Sequence, residues 1–246
     1  MSRMLLLVPT YNESASIELL ISRITNIRGE VGELIDGEVD MLLIDDNSPD
    51  GTAEIVRGLG EGWIEILHRS EKSGLGPAYV AGFRYGIAKN YDFIVEMDAD
   101  LSHQPEELLE MTKPIAEGRS DLAIGTRWMP GGKIVNWPIS RQLISRAGTT
   151  YARIVLGIKL RDITSGYRVF RSKVLKSIDL ENVESKGYGF QIEMALETLR
   201  HGFRIEEVPI TFVERVDGVS KMNKAIVLEA LWKVTIWGLQ RLIKRR

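Results

Sequence analysis

Asp98 and Asp100, in the stretch MDADLSHQPEEL (residues 97–108), put two carboxylates one residue apart where an apolar run gives way to a polar one. In extended chain, side chains at i and i+2 share a side, so these two would project together, about 7 Å apart. Hard oxygen donors at that spacing suit Mg²⁺ or Mn²⁺, which bind through one or two carboxylates plus substrate phosphates. A plainer reading has both acids serving a turn, or the start of a helix opened by Pro105, where negative charge is stabilised. Glu106 and Glu107 already fill that place.

The second set of chemistry-bearing residues is cationic. Between Arg119 and Arg171 stand eight arginines and two lysines against only Asp121 and Asp162, a net of +8 in a chain whose total is −2. A solvated basic face is the plain reading. A segment this lopsided also fits an anionic partner: phosphates, a membrane surface or nucleic acid.

Other chemistries are poorly represented. There is no cysteine, which removes disulfides, thiolate metal sites and a cysteine nucleophile and fits a reducing compartment. No P-loop or G-x-S-x-G occurs. The nearest approach to a dinucleotide fingerprint, GLGPAY (74–79), follows the third strand rather than the first and has Tyr79 where a third glycine belongs. His68, His103 and His201 show no metal-ligand spacing, and no nucleic-acid-binding motif accompanies the basic segment.

The elements that must position these residues read as alternating strands and helices. Apolar runs at Met4–Val8, Asp40–Ile44, Ile64–His68, Asp92–Met97 and Leu122–Thr126 predict strands; helical spacing predicts Ser14–Ile24, Thr52–Leu59, Pro77–Ala88 and Pro105–Glu117. Strands that are apolar on both faces belong to a mainly parallel sheet covered by helices, an α/β fold. A loop, MPGGKIVNWP (129–138), and a helix over Ser140–Leu156 come next. Elements near Tyr167–Phe170, Gly189–Leu199 and Phe203–Val208 follow, then a final helix from about Lys224 to Ile243. The first apolar run is too short for a signal peptide core, and no 18-residue apolar stretch is present to span a bilayer.

Ligands of an open parallel sheet bind beyond the carboxyl ends of its strands. Those ends read VPTYNE, IDDNSPDG, EMDADLSH and IGTRW, so four of five carry charged or hydrogen-bonding groups and mark one crevice.

VPTYNE, DDNSPDGT, GLGPAYVAGF, MDADLSHQPE, GTRW, TSGYRVFR and GYGFQIEM, taken in order, resemble the polyprenol (dolichol) monophosphate mannose synthases, inverting glycosyltransferases of the GT-A (Rossmann-like) fold in family 2. The likeness runs from Met4 to about Met222. It implies a catalytic domain over 1–222 and a C-terminal amphipathic helix over 223–246. It implies that Pro9, Tyr11, Glu13 and Asp45 hold the nucleoside of GDP-mannose, with Ala99 beside them. Asp98 and Asp100 would hold Mg²⁺ or Mn²⁺, Arg127, Arg141 and Ser145 would grip the acceptor phosphate, and Arg215 and Lys221 would close over the donor. Asp100, Arg127 and Arg141 are then the catalytic set. Archaeal members of that family carry a glutamine as a further metal ligand where this chain has Ser102. A UDP-glucose polyprenyl-phosphate glucosyltransferase shares the donor motifs and is the nearest alternative; a non-catalytic nucleotide or lipid sensor is a further one.

The residue inventory agrees with a phosphate acceptor. A phosphomonoester is mostly a dianion at neutral pH and needs no general base, but it needs cations, and guanidinium matches phosphate bidentately. In the last helix, Glu229, Lys233, Gln240 and Lys244 form a narrow polar stripe among Ile226, Trp232, Ile236 and Trp237. That pattern fits a membrane interface, a membrane-protein partner or packing on the catalytic domain. The expectation is a cytoplasmic protein, peripheral on the cytoplasmic face of a membrane, with GDP-mannose and polyprenyl or dolichyl phosphate as substrates and no nucleic acid.

Overall fold

In the computed structural model the described residues are 1–183, 185, 187–214 and 231–239. The strands are β1 (Ser2–Thr10), β2 (Gly37–Asp45), β3 (Ile64–His68), β4 (Phe93–Glu96), β5 (Leu122–Thr126), β6 (Lys133–Val135), β7 (Arg168–Arg171), β8 (Ile205–Pro209) and β9 (Thr211–Val213). The helices are α1 (Ile17–Ile35), α2 (Thr52–Leu59), α3 (Leu75–Ala88), α4 (Leu108–Ala116), α5 (Ile139–Leu156), α6 (Ser172–Ser177) and α7 (Tyr188–Arg200). A 3₁₀ turn, Pro105–Glu107, leads into α4.

Among the described residues, seven strands form one sheet in the order β3-β2-β1-β4-β7-β5-β8, and β6 pairs with β9 in a small second sheet. β7 runs antiparallel between β4 and β5; the other pairings in the large sheet are parallel. The expected α/β architecture is present, and two reversals cancel, so β4 and β5 still point the same way.

The unbroken apolar runs have a simple cause. In β1, Met4, Leu6 and Val8 enter the core on one face while Leu5 and Leu7 enter the core on the other. Helices α1 and α4 cover the first face; α3 and α7 cover the second. Burial on both sides removes the polar alternation of a half-exposed strand.

Several boundaries moved. Helix α1 extends eleven residues past Ile24, ending where Asp36 adopts a left-handed conformation. The loop at 129–138 contains β6, which the sequence did not mark because three residues carry no period. Gly132 lies in that loop for a steric reason: a Cβ there would stand 2.8 Å from the carbonyl oxygens of both Thr126 and Arg127. The largest change concerns Asp98 and Asp100. β4 stops at Glu96, so both aspartates lie beyond the strand, and Asp100 sits in a turn followed by Leu101 at φ +62°.

Residues 231–239 are helical and pack on α5. Val234 is buried, Tyr151 and Thr235 share a hydroxyl hydrogen bond of 2.7 Å, and a Cβ on Gly238 would meet Val155. Trp232 and Leu239 stay 68% and 57% exposed. Among the described residues, no helix is long and apolar enough to cross a membrane.

Candidate active site

Parallel strands deliver the polar ends of β1, β2, β4 and β5 to one edge of the sheet, as the sequence required. At the β1–β2 corner the two loops are stitched together. Thr10 donates its hydroxyl to Asp45, and the backbone N–H groups of Asn12, Glu13 and Ser14 donate to Ser48, Thr52 and Asp50. Pro9 sits in register with Ile44, one residue before Asp45. Asp45 accepts from the Ser48 N–H and lies 3.4 Å from His68. Lys72 stands over the ring of Tyr11 at 3.9 Å. Pro9, Tyr11, Glu13 and Asp45 thus gather in one corner.

On the other side of β1, the turn after β4 holds Asp98, Ala99 and Asp100. Ser102 donates its backbone N–H to Asp100, and its carbonyl accepts from Val213 of β9. Asp98 donates its backbone N–H to Nδ1 of the buried His103. Burial holds that imidazole below its ordinary pKa, against the opposing pull of Asp98 and Asp100, and an unprotonated Nδ1 is what the bond requires. His103 stacks on Tyr167 and meets Phe212 edge-on. His103 therefore braces the turn.

A divalent cation is consistent with this donor set. Asp98 and Asp100 offer only oxygens and are partly exposed. Among the described residues, no group of three or more His, Cys, Asp or Glu gathers to enclose a metal ion, so an ion here would complete its shell with substrate oxygens.

Beneath the turn lies a buried polar floor that the sequence did not reveal. Burial pushes the Glu96 carboxyl up to about 7, although Arg168 and the Gln191 amide, which donates at 2.9 Å, favour its charged form. Burial likewise lowers Arg168 to about 10. Arg168 donates to the carbonyls of Ile163 and Ser165, pinning the loop that carries Asp162. The Tyr79 hydroxyl is buried with no hydrogen-bond partner among the described residues, and burial together with Asp98, Glu96 and Asp100 drives its pKa well up. The tyrosine that spoiled the dinucleotide fingerprint is thus packed under the carboxylates.

At the end of β5, Arg127 is buried and bonded bidentately to Asp162. Arg141, in the first turn of α5, pairs with Glu214 and lies 4.3 Å over the Trp137 ring. Both arginines and Ser145 line one groove with Trp137, Ile144, Thr149, Tyr151, Ala152, Ile192, Leu231 and Val234. The walls of the groove are mostly apolar.

The basic segment is not one free patch. Arg119 pairs with Glu117 and Glu206, Arg127 with Asp162 and Arg141 with Glu214, while Arg168 is internal. Asp162 and Glu214 are the residues that sequence reasoning missed. Asp162 was counted only as a charge, although it opens the DITSGYR stretch. Arg215 and Lys221 lie outside the described residues.

The family model described as glycosyl transferase family 2 matches residues 6–179. The chain belongs to that family. The glycosyltransferase is 52% identical over 239 residues to an undecaprenyl-phosphate mannosyltransferase of Micrococcus luteus, covering 96% of this chain and 94% of that one. It is 43% identical over 246 residues to a polyprenol monophosphomannose synthase of Mycolicibacterium smegmatis, covering 99% and 89%. Its fold is that of Mycobacterium tuberculosis glucosyl-3-phosphoglycerate synthase, solved with Mn²⁺, uridine diphosphate and phosphoglyceric acid. The TM-score is 0.71 at 19% identity, over 96% of this chain and 78% of that one. The same synthase has also been solved with Mg²⁺ and uridine diphosphate, with a TM-score of 0.68 at 20% identity over 94% and 77%. The GT-A fold that the resemblance implied is therefore present.

Proposed function

We propose that this glycosyltransferase transfers mannose from GDP-mannose to a polyprenyl monophosphate with inversion, giving polyprenyl β-mannosyl phosphate. The observation that carries the reading is the groove. Two arginines and a serine stand at its head, beside the sheet edge that holds the aspartates, and its apolar walls continue along α5. A phosphate with a long hydrocarbon tail matches that sequence of environments, and a sugar hydroxyl would not need it. The names of the two curated relatives agree with the acceptor class.

In this reading the β1–β2 corner, with Pro9, Tyr11, Glu13 and Asp45, holds the nucleoside. Asp98 and Asp100, flanking Ala99, hold Mg²⁺ or Mn²⁺. A cation bound there would neutralise charge on the departing diphosphate. Arg127, Arg141 and Ser145 orient the acceptor phosphate. One of its oxygens forms a bond to the anomeric carbon from the face opposite the diphosphate, and the bond from that carbon to the diphosphate oxygen breaks. The acceptor enters as a dianion, so no proton has to be removed in the step. Guanidinium groups bring two anionic substrates together, which a carboxylate base would hinder. Arg215 and Lys221 complete the donor side in the resemblance.

The exposed apolar residues of α5, Ile139, Leu143, Ile144 and Ile154, together with Trp232, fit peripheral seating on the cytoplasmic face of a membrane that holds the acceptor tail. A membrane-protein partner would meet the same surface. Purified protein incubated with polyprenyl phosphate and either GDP-mannose or UDP-glucose, followed by mass measurement of the lipid product, tests the proposal. Addition of a hexose from GDP-mannose alone is expected; addition from UDP-glucose alone would favour the glucosyltransferase alternative.

A further inference from the structure

The two arginines at the head of the groove are paired in different ways. Arg127 presents Nε and Nη2 to the two oxygens of Asp162 at 2.7 and 2.8 Å, with both side chains almost fully buried. Arg141 meets Glu214 through Nη1, which reaches both carboxylate oxygens, while its Nε is buried with no hydrogen-bond partner among the described residues. Arg141 and Glu214 are 21% and 22% exposed. A guanidinium fork binds an oxyanion best through two nitrogens, so the second pair is the weaker and more accessible one.

Glu214 itself is held in place. Its backbone N–H donates to the carbonyl of Val135 in β6, and Val213 before it donates to the carbonyl of Ser102 in the aspartate turn. Arg141 has supports besides Glu214: the Trp137 ring lies under its guanidinium and α5 fixes its backbone.

We propose that Glu214 is an exchangeable counter-ion for Arg141, occupying the guanidinium until the acceptor phosphate displaces it. The inference rests on the reading of Arg141 as an acceptor-phosphate residue. The phosphate arrives with nearly two negative charges and leaves as a diester with one, so its hold on Arg141 weakens as the glycosidic bond forms. Glu214 then regains its partner, which favours product release. A carboxylate with this role opposes acceptor binding, whereas one that merely positions Arg141 would assist it, so the two roles predict opposite signs.

The test uses the full-length protein, a short-chain polyprenyl phosphate and its mannosyl product. In Glu214→Gln and Glu214→Ala, the acceptor KM is expected to fall about three- to fivefold, the gain from releasing one partly exposed ion pair. Inhibition by the product should strengthen to a similar degree, with the donor KM unmoved. An acceptor KM that rises or stays constant in both variants overturns the counter-ion role. Arg141→Gln separates the two levels. If it leaves the acceptor KM unchanged, the reading of Arg141 itself is wrong. If it raises that KM while neither Glu214 variant lowers it, only the counter-ion inference fails.

Discussion

Arg127 and Asp162 face each other across the end of β5, with two parallel hydrogen bonds of 2.7 and 2.8 Å between guanidinium and carboxylate. The backbone N–H of Arg127 adds a third bond, 3.1 Å, to the same carboxylate. Asp162 is in turn held by Glu207, which accepts from the backbone N–H groups of Arg161 and Asp162. Removing one partner of a buried pair strands the other charge, at a cost of roughly 3–5 kcal/mol. Asp162→Ala should lose about that much stability in urea titration. Asp162→Asn, which keeps the shape, should fold and show an acceptor KM raised about tenfold with the donor KM little changed, since a slackened Arg127 presents its phosphate contact poorly.

Asp100→Ala should leave the fold standing and remove turnover. The side chain is partly exposed and accepts from the turn N–H of Ser102, so the melting temperature should shift by no more than a few degrees. Loss of a metal-holding carboxylate should lower kcat at saturating Mn²⁺ by about a hundredfold or more. Donor-induced thermal stabilisation in the presence of Mn²⁺ should vanish with it, which gives a readout independent of turnover.

Gly132→Ala tests how closely the β6 approach is built. The added methyl would stand 2.8 Å from two backbone carbonyl oxygens, neither of which is the end of a flexible side chain. The expected loss is about 1–3 kcal/mol, a drop of several degrees in Tm. Because one of those carbonyls belongs to Arg127, the acceptor KM should rise more than the donor KM.

Asp121 supplies a pH dependence far from the chemistry. Its burial opposes ionisation, but Lys173 at 2.7 Å and the Arg204 backbone and side chain at 3.0 and 3.2 Å outweigh it and hold the carboxyl well below its usual range. A pKa depressed on folding stabilises the protein above the unfolded value of 3.8, and that contribution is lost as pH falls through the folded value. Asp121→Asn should therefore cost stability near pH 7, and the deficit should shrink as unfolding is measured at progressively lower pH, down to about pH 2.

Most of the frame was legible because its signals are local. The run MLLLV requires burial on both faces wherever it lies, and strands of that kind ask for helices above and below. Polar residues at four strand ends mark a crevice in the sequence alone. The short pieces were not legible: β6 and β9 have three residues each, too few for a period, and their pairing depends on a chain separation of some 78 residues. The D-x-D pair was read as extended chain, since the sequence does not say that the strand ends at Glu96 and that Leu101 turns the chain.

By itself the sequence determined the α/β order, the two carboxylates and the excess of arginine, because composition and spacing along a chain are local properties. Only the tertiary structure decided what each arginine meets. Asp162 lies 35 positions from Arg127 and Glu214 lies 73 positions from Arg141, and nothing in the intervening chain encodes either contact. Ion pairing depends on distance in space and on exposure to water, so a segment that counts as +8 along the chain is divided by the fold. One arginine is clamped in the interior, one is held by an accessible carboxylate, and one, Arg168, is committed to backbone carbonyls under the site.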